Sequence, residues 1–218
     1  MSEQKTVSLS DTVFDRLEHA ILCGEYKSGD IITESKMCVE LGMSRTPVRE
    51  ALKRLQQEGL VAESSRTFVV VGLTRDDIAD IYDVRMLIEG LAFARCAKKI
   101  TEEQLVRLEE AIDLQEYYLY KKLPEKSKDK DSEFHSLVYE FSGSGIIPPL
   151  LAKLHRRVQY YRELSISCSE RAESMVSEHR QILEALRAHD AELAEQLARE
   201  HINNAKENIL KNVIRNNG

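Results

Sequence analysis

The sequence predicts a mainly α-helical protein in two parts: a small helical unit with short β segments in front, and an antiparallel all-α bundle of about six helices behind it. Three observations carry this. Apolar residues recur at helical spacing through almost everything after residue 74. Short β segments are confined to Gly29–Ile32 and to the stretch from Glu58 to Val71. No apolar run approaches the roughly 20 residues needed to span a membrane, and 218 residues suffice for two modest cores.

Taken in order, residues 1–10 read as a flexible tail without the charged-then-apolar design of a signal peptide. Cys23, Cys38, Cys96 and Cys168 are scattered, as expected of reduced thiols in a cytoplasmic protein. A first helix is expected from about Asp11 to Cys23, buried along Val13, Leu17, Ala20 and Ile21 and stopped by Gly24. Glu34 to Leu41 forms a second short helix. Gly42 supplies the positive φ of a helix stop, Ser44 is a good N-cap, and Pro47 falls in the first turn of a third helix. Val48, Leu52 and Leu55 make that helix apolar on one face, while Arg45, Arg49, Lys53 and Arg54 make it basic on the other. Two short helices joined by a Gly turn, the second basic, are the parts of a helix-turn-helix. A plain helical hairpin with a solvated charged face is the alternative. The flanking β segments favour the former, as a small wing beside the helix.

The stretch "SGDIITESKMCVELGMSRTPVREALKRLQQEGLV" closely resembles the winged helix-turn-helix of the GntR superfamily of bacterial transcription regulators. The resemblance implies a DNA-binding domain over residues 11–73 that places its third helix in the major groove of double-stranded operator DNA. It assigns Arg45 and Arg49 to base edges, bidentate to guanine, and Ser44 and Thr46 to phosphates or bases near the helix start. Arg66 and Thr67, at the wing tip, reach the backbone or minor groove. Two departures stand out: Ser35 occupies a position that is basic in many relatives, and no Gly lies near Ser65–Arg66. One reading head covers few base pairs, so a homodimer on a pseudo-palindrome is expected, with its contact on the bundle. Net charge is −6, and residues 1–72 hold 9 Lys+Arg against 11 Asp+Glu. Specificity therefore rests on a few well-placed contacts rather than on bulk charge.

After the short hinge Gly72–Thr74 the text is helical throughout residues 74–218. Thr74 with Asp77 caps a helix running to about Ala97, and Thr101 with Gln104 caps one running to about Lys121. Leu123-Pro124 breaks it, and Lys126–Lys130 reads as a solvated loop or first turn. Further helices are expected over Asp131–Phe141, from Pro148-Pro149 through Tyr161, from about Ser169 to Ala188, and from Asp190 to about Val213. The product is an antiparallel bundle.

Three histidines fall on apolar stripes of that bundle. His135 lies one turn after Asp131, so both side chains share a face. His179 precedes Asp190 by eleven residues and His201 follows it by eleven. Across a hairpin turning at His189-Asp190, both sit about 16 Å from the turn and should face each other. His19, His155 and His189 read as surface residues. Burying four polar groups without a shared partner costs about 1–3 kcal/mol each. A divalent metal removes that cost, and three imidazoles with one carboxylate suit Zn²⁺, Ni²⁺ or Mn²⁺.

"DVRMLIEGLAFARCA", "DSEFHSLV" and "SEHRQILEALRAHDAELAEQLAREHI" resemble the FCD ligand-binding domain of the FadR branch of GntR regulators, and the helix count resembles its VanR-like subgroup. The resemblance places metal ligands at Asp131, His135, His179 and His201. It implies a receptor for a small organic acid, bound to the metal, with Arg85 as a second anchor. Arg85 reads equally as the intrahelical partner of Glu89. Two other readings stay open: a regulator for which the metal is itself the signal, and a metal-dependent hydrolase with a DNA-binding head. No further carboxylate stands out as a general base, which disfavours an enzyme.

Overall fold

The computed structural model describes the backbone of residues 8–65, 67–71, 73–166 and 169–216, and the side chains of 8–65, 67–71, 73–158 and 171–211. Packing divides the chain into Met1–Thr74 and Arg75–Gly218. Each is described by itself.

In the first unit α1 spans Leu9–Leu22, starting two residues earlier than expected because Ser8 is the cap. Its hydroxyl accepts from the Asp11 N–H at 3.1 Å, and the Asp11 carboxylate accepts from the Ser8 N–H at 3.3 Å. This is a capping box written in the sequence as Ser-x-x-Asp. β1 is Ile31–Ile32 and α2 is Glu34–Leu41, capped by the Thr33 hydroxyl. Gly42 takes φ 63° and turns the chain into α3, Arg45–Gln57. β2 (Val61–Ser64) and β3 (Thr67–Val70) form an antiparallel hairpin, and β1 adds to the other side of β3. Ser64 pairs with Thr67, and Ser65 is a turn residue at the end of β2. Val13, Leu17, Met37, Val48, Leu52 and Phe68 close the core between α1, the two short helices and the sheet.

The second unit is a bundle of α4 (Arg75–Ala97), α5 (Glu102–Tyr120), α6 (Pro124–Phe141), α7 (Ile147–Ile166), α8 (Ser169–Arg187) and α9 (Ala191–Asn216). Lys126–Lys130 is not a loop: α6 begins at Pro124. Proline at the first helical position loses no hydrogen bond. The pairs Lys128–Glu125 at 3.0 Å and Lys130–Glu133 at 2.5 Å then lie three residues apart on the helix surface. Phe93, Leu108, Ile112, Phe134, Leu151 and Leu186 form the centre of the apolar core. α4 and α9 run close together at Gly90, where a Cβ would stand 3.0 Å from Arg199 Nε. The α8–α9 turn falls at His189, with φ 54°, and Asp190, whose carboxylate caps α9. That turn position sets the register of the two helices that carry His179 and His201.

Among the described residues Cys23, Cys38 and Cys96 form no disulfide. Burial pushes the Cys96 thiol up to about 12, so it stays protonated. Cys168, Gly72, Arg66, the Tyr161 side chain and the tail through Val7 lie outside what is described.

Candidate metal centre and nucleic-acid face

On the first unit, Ser44, Arg45, Thr46 and Arg49 are all exposed at the start of α3. Ser44 sits at the N-cap in an extended conformation, but its hydroxyl makes no capping bond. That hydroxyl and the free amides of the first turn suit an anion such as a backbone phosphate. Arg45 has no hydrogen bond or ion pair among the described residues. Arg49 is held: its Nε and Nη2 donate to the two oxygens of Glu34 at 2.7 and 2.8 Å. Arg49 in turn holds the Glu34 carboxyl below its usual range. Lys53 donates to Glu63 of β2 at 2.6 Å. Arg54 does not belong to the exposed basic face. It donates to Asp11 at 2.6 Å and lies 4.2 Å over the Phe14 ring, tying α3 to α1. Thr67 donates its hydroxyl to the Ser64 carbonyl at 2.9 Å and so helps close the wing turn. Arg66, the other wing-tip candidate, is outside the described residues.

In the bundle the four expected polar residues come together. Asp131, His135, His179 and His201 are at most 4% exposed. Ligand atoms of the three histidines all lie within 4.8 Å of one another. The rings of His179 and His201 are 4.8 Å apart, as equal distance from the turn requires, and His135 stands 5.3 and 5.1 Å from them. Asp131 Oδ1 lies 3.7 Å from His179 Nε2. Phe134 stacks on His179 at 4.3 Å and fixes its ring plane.

The outer nitrogen of each ring is already committed. His179 Nδ1 donates to Gln115 Oε1 at 2.9 Å, and His201 Nδ1 donates to Glu178 at 2.6 Å. His135 Nδ1 faces Glu89 and the Tyr139 oxygen, each at 3.3 Å; the Tyr139 hydroxyl gives its own proton to Glu89 at 2.5 Å. With every Nδ1 protonated, all three Nε2 atoms present bare lone pairs to the interior. His135 Nε2 and His201 Nε2 are then 3.2 Å apart with no proton to share. His179 Nε2 is buried and has no hydrogen-bond partner among the described residues. Two nitrogens bound to one transition metal at about 2.1 Å stand about 3.0–3.4 Å apart, so this spacing fits a shared ion. Burial and the neighbouring His201 and His135 push the His179 imidazole well below its ordinary pKa, which leaves it neutral. Burial likewise lowers His201 against the opposing pull of Glu178.

The roles of two acids behind the histidines escaped sequence reasoning. Burial raises the Glu178 carboxyl, but hydrogen bonds from His201 and Arg171 outweigh this and hold it at about 2. Arg171 grips it at 2.6 and 3.0 Å, and Asn204 adds a bond at 2.9 Å. The clue was present: Arg171 and Glu178 are two turns apart on one helical face. Glu89 is the second. It accepts from Arg85 Nε at 2.8 Å, and His155 Nε2 lies 3.1 Å from it. Burial raises Glu89 too, but Arg85, His135 and His155 hold it well below the carboxylate range. His155 is thus not an ordinary surface residue; it faces inward from α7 on to Glu89 and Tyr139. Arg85 proves to be the intrahelical partner of Glu89, and it also borders the cavity beside His135, His201 and Asp131. That cavity measures about 30 Å³.

Comparison with known proteins agrees with both halves. The model of the gntR family of bacterial regulatory proteins matches residues 9–70, and the FCD domain model matches residues 80–204. The uncharacterized HTH-type transcriptional regulator YdhC of Bacillus subtilis is 30% identical over 203 residues, covering 92% of this chain and 90% of its own. The gluconate operon transcriptional repressor of Bacillus licheniformis is 27% identical over 182 residues, covering 81% and 75%. Among solved structures, E. coli McbR/YncC superposes with a TM-score of 0.71 at 24% identity, covering 91% of this chain and 95% of that one. Among the described residues no helix is long and apolar enough to cross a membrane.

Proposed function

The chain belongs to the GntR family of bacterial regulatory proteins and its second unit is an FCD domain; from that premise we propose that it is a transcription regulator whose bundle holds a divalent metal ion, binds a small organic acid there, and so alters the affinity of its first unit for operator DNA. The observation that carries this reading is the set of three inward Nε2 atoms, each with its Nδ1 engaged from behind, next to Asp131. Asp131, His135, His179 and His201 would hold the ion. A bound Zn²⁺, Ni²⁺ or Mn²⁺ supplies a cationic point that a carboxylate oxygen can bind.

The chain's own residues do the rest. Glu178, Gln115 and Glu89 hold the three rings in the tautomer that faces the ion. Arg85 is kept charged by Glu89, which with Tyr82 and Tyr139 raises it against the effect of burial. It therefore offers a charged donor at the cavity wall. α4, which carries Arg85 and Glu89, is the helix into which the chain runs directly after the wing. An acid that pulls on Arg85 thus acts on the element nearest in sequence to the reading head.

On DNA, Arg45 and Arg49 read base edges, Ser44 and Thr46 meet phosphates or bases near the start of α3, and Arg66 and Thr67 reach the backbone from the wing. Two copies of the chain engage a pseudo-palindromic operator. The test is a gel-shift titration on an operator selected from random duplexes, with metal alone, acid alone and both together, against His179→Ala and His201→Ala. A response that needs both components, and that vanishes with bound metal in the variants, supports the proposal. A full response to metal alone assigns the ion as the signal. An unchanged metal content in both variants refutes the site.

A further inference from the structure

We propose that the corner joining α5 to α6 is a docking face for an anionic membrane surface. The proposal is independent of what the interior of the bundle binds.

The corner combines exposed rings with lysines. Tyr120 is 80% exposed, Tyr117 52% and Leu123 42%, so three large apolar side chains meet water at one end of α5. Tyr117 and Tyr120 lie three residues apart and share a face of the helix. Lys122 closes the turn with φ 55°, and Leu123 stays outside as α6 begins at Pro124. Lys121 Nζ stands 5.6 Å from the centre of the Tyr117 ring and 5.5 Å from that of Tyr120. Lys126 Nζ stands 5.5 Å over Tyr118. The Tyr117 and Tyr118 rings meet edge-on at 5.5 Å, which joins the two groups into one patch.

The charge of this patch is not cancelled locally. Lys121, Lys122 and Lys126 have no ion pair among the described residues. The acids beside them in sequence are already engaged: Glu116 accepts from Arg180 at 2.8 Å, and Glu125 from Lys128 at 3.0 Å. These cations complement a surface of lipid phosphates, whereas the chain as a whole carries −6 and is repelled by it. Attachment is therefore local to this corner.

The residue types select the occupant. Single strands of nucleic acid stack their bases on open aromatic faces, and here ammonium groups already lie over the rings. Protein interfaces enrich arginine and deplete lysine, yet the unpaired cations of the patch are all lysines. A bilayer interface takes tyrosine and lysine together. Phenol rings sit at headgroup level, ammonium groups reach the phosphates, and leucine enters the acyl boundary. The bilayer is touched and not crossed, since no described helix is long and apolar enough to span it.

The test is flotation of the full-length protein with vesicles of equal parts phosphatidylglycerol and phosphatidylcholine, against vesicles of phosphatidylcholine alone. Association is expected with the anionic vesicles only. Most of it should be lost in about 1 M salt, where the screening length falls to about 3 Å. Lys121→Gln, Lys122→Gln and Lys126→Gln should each weaken it about fivefold, and the triple variant on the order of 100-fold. Tyr120→Ser should cause a further loss that does not depend on salt. All four side chains are exposed, so folding should be unaffected. Lys27→Gln, Lys36→Gln and Lys98→Gln together remove as much charge from other exposed positions and should keep nearly full binding. No association with anionic vesicles, equal association with phosphatidylcholine, or an equal loss in that control overturns the proposal. Tighter binding of single-stranded oligo(dT) or polyglutamate, lost in the same corner variants, overturns it too and assigns the corner to that polyanion.

Discussion

Glu34 is expected to act as a splint for Arg49, and Glu34→Gln should expose this by weakening selectivity while strengthening indiscriminate binding. The carboxylate holds the guanidinium through Nε and Nη2 and leaves the edge formed by Nη1 and Nη2 open, which is the edge that pairs with guanine O6 and N7. The two side chains are 59% and 23% exposed, so the ion pair adds little to folding and the variant should fold normally. On DNA two effects separate. Removing one negative charge beside the duplex adds about one to the effective contact number, worth roughly sixfold in affinity near 0.15 M salt for any sequence. Releasing Arg49 returns up to about 2 kcal/mol of side-chain entropy that must be lost again on each specific contact. The ratio of operator to scrambled-duplex affinity should therefore fall roughly five- to thirtyfold. Fluorescence anisotropy on both duplexes across a salt series measures slope and ratio together. An unchanged or increased ratio would show that Glu34 merely competes with DNA for Arg49.

Three further outcomes follow from the geometry. Glu178→Gln should lower metal affinity about 10- to 100-fold in a chelator competition, because His201 loses a charged acceptor behind its ligating ring; equal affinity would remove Glu178 from the site. The metal-free protein should also show Glu178 in its acid stability. A carboxyl held at about 2 when folded contributes fully above its ordinary pKa of 4.5, and loses that contribution as pH falls from there towards 2. Urea denaturation of metal-free wild type and Glu178→Gln should thus differ most near pH 6 and converge towards pH 2.5. Finally, Ser65 adopts φ 58° at the wing turn. A left-handed conformation costs a non-glycine residue about 1–2 kcal/mol, and glycine returns about half of that through its freer unfolded chain. Ser65→Gly should raise the melting temperature of the first unit by about 2–8 °C; a lower melting temperature than wild type would show that the turn is not strained.

The sequence was most legible where one residue decides one thing. Gly42 could only end α2, and Pro47 could only sit near the start of α3. The equal spacing of His179 and His201 about the turn at Asp190 needed nothing beyond the helical rise. Legibility failed where a side chain left its own helix. Glu178 directly precedes His179, so periodicity turns it about 100° away from the ligands. It nevertheless reaches His201 because α9 lies alongside, a packing fact with no local signature. His155 resembled a surface residue because its neighbours Arg156 and Arg157 are charged, yet it meets Glu89 across the bundle. Arg54 belongs to the basic face by helical phase, but its length lets it bend back to Asp11 and Phe14. Polarity alone leaves Lys126–Lys130 open between a loop and a first turn; the positional preference of Pro124 decides for the helix start.

The distribution of partners shows how a site this polar would serve at the centre of a bundle that, on the reading proposed above, responds to a ligand. α6 supplies Asp131 and His135, α8 supplies His179, and α9 supplies His201; behind them stand Gln115 from α5, Glu89 from α4 and His155 from α7. All six helices therefore have a polar group within one or two hydrogen bonds of the same point. In an apolar interior a side chain can slide by a fraction of an ångström at little cost, but a buried network of charged hydrogen bonds has few arrangements that satisfy every member. Adding an ion, or an acid that engages Arg85, changes which arrangement is best satisfied. The Arg85–Glu89 pair is where this is most direct: Glu89 meets the outer nitrogen of His135, while Arg85 lies on the same helix at the cavity wall. On the proposed reading, a pull on Arg85 would alter the hold on His135, and metal and acid would be coupled without any requirement that they touch.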